Sequence, residues 1–327
     1  MRRRAVLASV LALVAASPLG ALAQQRARTW RIGYLGDGTR EVRAVDIREF
    51  RAGMAQLGYV EGRNLVIEER WTQGVQSQRT AFAAQFVRMN VDLIVTHGAQ
   101  AALAAKAATT TIPIVVAVSS DFINNGLVKS LSRPGANLTG LTDQVGDLAA
   151  KEVQLLREAM PKLQLAGLLW ESENPNPVKI ANDTQAAARE LGLRLVLAPV
   201  TTPAGVEAAF DNVVSSGAGA VIVVHSPLTV GNRVHIAQLA LKHRLAMVGA
   251  PVQFSEAGAL FSYGPDLPKY FRHAAVVVDK IFKGAKPADI PVEQPTKFEF
   301  IINMKTAKAL GIAIPQSLLI RADRLID

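Results

Sequence analysis

The strongest constraint on the fold of this 327-residue chain is an alternation of short apolar runs with amphipathic segments, written out twice. In the first half "RIGYL" (31–35), "LVIEERW" (65–71), "VDLIVTH" (91–97) and "IPIVVAVS" (112–119) read as strands. Helical faces lie between them, such as Val45, Ile47, Phe50, Met54 and Leu57. In the second half the strands are "LAGLLW" (165–170), "LRLVLAPV" (193–200), "AVIVVH" (220–225) and "LAMVG" (245–249). Strands that are apolar at nearly every position, each followed by a helix, belong in parallel sheets covered on both faces. The punctuation repeats as well: Leu57-Gly58 and Leu191-Gly192 each close the helix before the second strand, with glycine as the cap.

Two such halves, joined near residues 140–148, predict an α/β protein of two similar Rossmann-like lobes with a cleft between them. The alternative is one continuous sheet. The expected lobes are 29–143 with about 262–285, and 144–261 with about 286–327, the C-terminal segment crossing back to complete both. Ligands of open parallel sheets bind beyond the carboxyl ends of the strands. His97 and His225 close the third strand of each half, so they mark the expected walls of a shared cleft.

The N-terminus reads as an export signal. Arg2-Arg3-Arg4 precede an apolar run, and Ala21-Leu22-Ala23 offers a cleavage site, which makes residues 1–23 a signal peptide. The chain has no cysteine, which excludes disulfides, thiolate metal sites and a lipidated cysteine after the signal. A freely diffusing, monomeric periplasmic protein is expected. The net charge is +9, or +6 without the three signal arginines, and the basic residues are scattered. A nucleic-acid footprint needs them clustered, so no nucleic-acid partner is expected.

Catalytic motifs are missing. The chain has no G-x-S-x-G elbow, H-E-x-x-H, Walker or G-x-G-x-x-G sequence. No cofactor or metal is expected. His97 and His225 with Asp121 form the one candidate set for a secreted α/β enzyme; lining a pocket without chemistry, or lying exposed in loops, are the other readings of the histidines. Several further residues follow strand ends. Asp37 lies in the glycine-rich "GYLGDG" (33–38), and Gly98, Ala99 and Gln100 open a helix whose free N–H groups attract an anion. Ser120 and Asp121 follow the fourth strand, where the aspartate either holds a ligand or caps a helix carrying Leu127 and Leu131. Trp170 and Tyr263 either stack on a ligand or sit in the core. Ser226 and Gln253 complete the candidate set.

The phrases "LGYVEGRNLVIEERW", "LSRPGANLTGL", "LFSYGPDL" and "KGAKPADIPVEQPTKFEFIINMKTAKALGIAIPQSLLIRAD" resemble the ABC-transporter substrate-binding proteins related to the tryptophan/tyrosine-binding periplasmic type. The resemblance spans nearly the whole mature chain. It implies two α/β lobes of the periplasmic binding protein type I kind. It also implies capture of a small molecule, an amino acid or related organic acid, for an inner-membrane permease, with no catalysis. A binding protein serving a sensor kinase is a further alternative. Where the family has Gly-Thr-Pro-Ala after the third strand, this chain has Gly98-Ala99-Gln100-Ala101 and lacks the hydroxyl expected to meet a ligand carboxylate. Ser226-Pro227 stands for Asp-Pro, while Asp121 and Tyr263 are retained. An aromatic ligand therefore does not carry over from the family.

Overall fold

A computed structural model describes residues 28–143, 148–294 and 297–327. The signal-peptide reading and part of the junction near 140–148 lie outside the described residues. In the first half the elements are β1 (Trp30–Gly36), α1 (Ala44–Gln56), β2 (Leu65–Trp71), α2 (Gln76–Arg88), β3 (Leu93–Thr96), α3 (Ala99–Ala108), β4 (Ile114–Ser119) and β5 (Leu138–Thr142). They build a parallel sheet in the order β2-β1-β3-β4-β5. Successive strand residues face opposite layers, as the two-residue period requires. Ile32, Tyr34, Leu93, Val95 and Val115 pack on one side; Leu35, Ile94, Ile114 and Val116 pack on the other.

The second half contains α4 (Ala149–Ala159), β6 (Leu165–Glu171), α5 (Pro175–Glu190), β7 (Arg194–Val200), α6 (Val206–Ser215), β8 (Ala220–Val223), α7 (Pro227–Gly231), α8 (Arg233–Lys242), β9 (Ala246–Gly249), α9 (Val252–Ala257) and β10 (Phe261–Gly264). There follow α10 (Leu267–Phe282), β11 (Glu299–Asn303), α11 (Met304–Leu310), α12 (Gln316–Arg321) and β12 (Arg324–Ile326). The second sheet runs β12-β11-β10-β9-β8-β6-β7, parallel except between β10 and β11. There are therefore two separate sheets, and the continuous-sheet alternative does not hold.

The internal repeat is one strand longer than the sequence pattern indicates. β5 flanks β4 as β10 flanks β9. Both fifth strands are short and carry a glycine under a neighbouring backbone. A Cβ on Gly140 would stand 2.2 Å from the Val116 carbonyl oxygen, and one on Gly264 would stand 2.2 Å from that of Ala250. Those close approaches force glycine and erase the apolar signature.

The crossovers also differ from the expected boundaries. Residues 261–264 pair with β11, and the first two of them with β9, so they belong to the second sheet, and the return to the first begins with α10. Phe271, Ala274, Ala275 and Val278 of α10 bury against the α1 side of the first sheet. Gly53 lets the two helices touch: a Cβ there would lie 2.5 Å from the Arg272 carbonyl oxygen. The first lobe then keeps the chain as far as Glu293. Ile290 and Val292 are buried in its core, and the Glu293 N–H donates to Gly140 while its carbonyl accepts from Thr142. Only from β11 onward does the C-terminal segment join the second lobe, so the boundary expected near 286 falls later.

Candidate functional site

The carboxyl ends of β1, β3, β4 and β5 face those of β6 and β8 across one cavity. From the first lobe it is lined by residues that include Asp37, Arg43, Gly98, Gln100 and Asp143, and from the second by Asn174, Asn176 and His225. His97, Ala99, Ser120, Ser226 and Pro227 also border it. The lobes touch around it. Asn125 Nδ2 donates to Asn176 Oδ1 at 2.7 Å, Asn176 Nδ2 donates to the Ser120 carbonyl at 3.3 Å, and His225 Nδ1 lies 3.7 Å from Asp143 Oδ2. The cavity has a volume of about 40 Å³ and is partly open to the surface.

The two histidines that end matching strands do meet at one cavity, with different duties. His97 is 2% exposed. Its Nε2 accepts from the Asp37 backbone N–H at 3.0 Å, and its ring meets Phe271 edge-on at 5.6 Å. Burial, reinforced by the nearby Arg43 cation, pushes its pKa down to about 3. His97 is therefore a neutral imidazole that joins β3 to the loop after β1. Burial also lowers the pKa of His225, against the opposing pull of Asp143.

Asp37 is committed as well. Its carboxylate takes Arg79 in a two-pronged contact at 3.1 Å and the Thr72 hydroxyl at 2.6 Å. This is the fork geometry that makes arginine–carboxylate pairs specific. Ser226 caps α7: its Oγ accepts from the Thr229 N–H at 3.1 Å, and Thr229 Oγ1 accepts from the Ser226 N–H at 2.9 Å. Replacing the family's aspartate here retains the helix cap, which serine and aspartate both provide. Glu171 lies beside the Ser226 hydroxyl and the Leu228 N–H, and burial raises its pKa.

Four candidates stand off the cavity wall. Asp121 has a left-handed backbone, φ 46°, and its carboxylate accepts from the Asn124 N–H at 3.1 Å. It closes a turn, and no helix follows before Leu127 and Leu131. Trp170 packs against the α4/α5 side of the second sheet. Tyr263 is on the same side, with its ring among Phe298 and Phe300. Gln253 is buried in α9, and its Oε1 has no hydrogen-bond partner among the described residues. A strand residue has only two faces to choose from, and these two aromatics take the α4/α5 side, away from the cavity lining.

Sequence reasoning passed over four cavity residues. Asn174 and Asn176 lie in the "ESENPNP" phrase directly after β6, where two amides beside a strand end are a usable polar signal. Asp143 follows β5, and was hidden with it; its Oδ1 accepts from the Ser120 hydroxyl at 2.8 Å. Arg43 precedes α1, is 5% exposed, and donates from Nη1 to Asp46 at 3.2 Å. Its Nε has no partner among the described residues. A lone arginine ahead of a helix carries no sequence mark of burial.

Among the described residues, no three histidine, aspartate or glutamate side chains converge in a metal-holding group. No helix among them is long and apolar enough to cross a membrane.

Comparison with known proteins agrees with this geometry. A family model for ABC transporter substrate binding proteins matches residues 43–326. A tyrosine-binding protein of Clostridioides difficile (strain R20291) is 27% identical over 266 residues, covering 80% of this chain and 75% of that protein. A conserved domain protein of known structure from Vibrio cholerae matches with a TM-score of 0.85 at 26% identity, over 91% of this chain and 100% of the other. An ABC domain in complex with L-Trp from Streptococcus pneumonia matches with a TM-score of 0.82 at 26% identity, over 90% of this chain and 100% of the other.

Proposed function

The chain belongs to the ABC transporter substrate-binding protein family, and we propose that it captures a small solute between its lobes by hinge closure and hands it to an inner-membrane permease. Members of this family bind solutes and are not enzymes. The observation that carries the proposal is a cavity walled by strand ends of both lobes and bridged by Asn125–Asn176 and Asn176–Ser120. A site divided between two bodies exists only when they meet. A ligand that contacts both walls therefore favours the closed arrangement by its differential affinity.

In this reading Gly98, Ala99 and Gln100 present the N-terminus of α3 to the ligand, with Ser120, His225 and Asn174 around it. His97, Asp37 and Ser226 hold the wall in shape. The ligand is an amino acid or a related organic acid. The protein acts as a periplasmic monomer after cleavage behind Ala23, without a cofactor. A secreted enzyme built on His97, His225 and Asp121 finds no support in the geometry, because Asp121 lies outside the cavity lining and His97 is spent as a backbone acceptor.

The test is a thermal-shift screen of the mature chain against amino acids, organic acids, nucleosides and sugars, with native mass spectrometry of the protein as purified. One ligand class raises the midpoint and appears as a bound mass. A screen with no shift, together with scattering that shows no compaction on addition of any solute, refutes the reading.

A further inference from the structure

We propose that the cleft closes on a compact carboxylate and that Arg43 holds its charged group; this rests on the solute-binding reading above. Three features converge. Arg43 lines the cavity, is 5% exposed, and keeps a buried Nε without a partner among the described residues. A buried donor left unpaired is costly, and more so when it is charged. The closed cleft is therefore incomplete on the Arg43 side until an acceptor arrives.

A second cation acts on the same group. Asp46 is the close carboxylate of Arg43, at 3.2 Å. Arg233 of the second lobe shares the same field: its own pKa is lowered, first by burial and then by Arg43, against the pull of Asp46 and Glu256. Arg43 and Arg233 thus act on each other from the two lobes, with Asp46 and Glu256 as their counter-charges. His97, with its neutral ring, adds no counter-charge. Asp37 is matched by Arg79. Asp143 lies toward Ser120 and His225. A ligand anion at Arg43 supplies the acceptor that its Nε lacks and so favours closure. The N-terminus of α3 adds N–H groups on the same cavity. This also accounts for Ala99, where the family's hydroxyl is missing: the guanidinium takes over the carboxylate.

Size limits the rest of the molecule. A cavity of about 40 Å³ is far smaller than the ~150 Å³ engineered cavity that accepts benzene. The neighbouring groove lined by Phe122, Ile123, Leu131 and Ile180 is separated from it by the Asn176 amide, bonded to both Ser120 and Asn125. A compact ligand suits this space better than an indole or phenol does.

The experiment is calorimetric titration of the mature chain with glycine, L-alanine, L-lactate, pyruvate and succinate, alongside L-tryptophan, L-tyrosine and D-galactose. At least one compact carboxylate binds more tightly than either aromatic amino acid and the sugar. Preference for glycine or alanine over lactate and pyruvate identifies an amino acid; the reverse identifies a plain organic acid. Arg43→Gln weakens that binding roughly 10- to 100-fold, the loss expected for a charged hydrogen-bond donor. Arg43→Lys keeps the Asp46 pair, and therefore the fold, and loses part of the affinity because the fork is gone. Unchanged affinity in both variants overturns the assignment of Arg43. Preference for tryptophan, tyrosine or galactose overturns the compact-carboxylate inference while leaving solute capture intact. If no compound binds and no solute closes the lobes, the parent reading falls and this inference falls with it.

Discussion

Glu152 gives a prediction with a magnitude. It lies in α4, is 4% exposed, and its Oε1 has no hydrogen-bond partner among the described residues. Burial alone raises its pKa from the usual 4.5 to about 8. The folded protein therefore holds this proton at neutral pH, whereas the unfolded chain releases it above about pH 4.5. A folded-state pKa above the unfolded one means that the stability contribution is complete below pH 4.5 and is lost as pH rises toward 8. Between pH 5 and pH 8.5 the loss amounts to about 4 kcal/mol, at about 1.4 kcal/mol per unit. Glu152→Gln keeps the shape of the neutral acid and cannot ionise. Whatever the amide itself costs is the same at every pH, so the comparison across pH isolates the proton. The variant gains about 4 kcal/mol on wild type between pH 5 and pH 8.5. That is about 8 °C in midpoint, at about 2 °C per kcal/mol for a chain of this size. Urea melts and thermal scans of both proteins at several pH values measure it. A difference between the two that stays constant from pH 5 to pH 8.5 refutes the buried neutral acid.

Further expectations concern the cavity wall and the fifth strands. His97 prefers the neutral form in the folded protein, so its contribution is present above pH 6.5 and is lost as pH falls toward about 3. His97→Gln, which can still accept from the Asp37 N–H, loses less stability than wild type between pH 7 and pH 4.5 in urea titrations. Gly264→Ala places a methyl group 2.2 Å from the Ala250 carbonyl oxygen, and calorimetry reads a destabilisation of about 2 kcal/mol or more. The matching Gly140→Ala clashes at 2.2 Å with Val116 and produces a similar fall in the first lobe.

Four of the five parallel strands in each lobe were legible because their apolar residues fill both faces of a covered sheet, as Ile94 and Val95 do by packing on opposite sides. β5 and β10 were obscured by the glycines that let them pass under a neighbouring carbonyl. The matching positions of His97 and His225 located the cleft, because strand ends collect at one edge of a parallel sheet. What each side chain does there depends on partners far away in sequence. The acceptor role of His97 needs Asp37, sixty residues earlier, and the occupation of Asp37 needs Arg79. Trp170 and Tyr263 were ambiguous for a different reason: both faces of the sheet are covered, and a residue near a strand end packs under a helix or reaches the cleft according to neighbours that a single strand does not name. Arg43 was invisible because a charged residue ahead of a helix ordinarily faces water, and only the approach of both lobes buries it.

The most direct measurement of solute capture is the distance between the lobes. The chain has no cysteine, so a pair introduced as Ile123→Cys and Asn182→Cys takes two labels and nothing else does. Ile123 is 48% exposed on the first lobe, and Asn182 is exposed on α5 of the second. Ile123 lines a groove from the first lobe, and Asn182 follows Ile180, which lines it from the second. Single-molecule energy transfer on the labelled protein, titrated with the ligand found in the screen, should show a long-distance population replaced by a short-distance one, at a midpoint equal to the calorimetric Kd. A ligand that binds in calorimetry without moving that distribution would contradict closure as the means of capture.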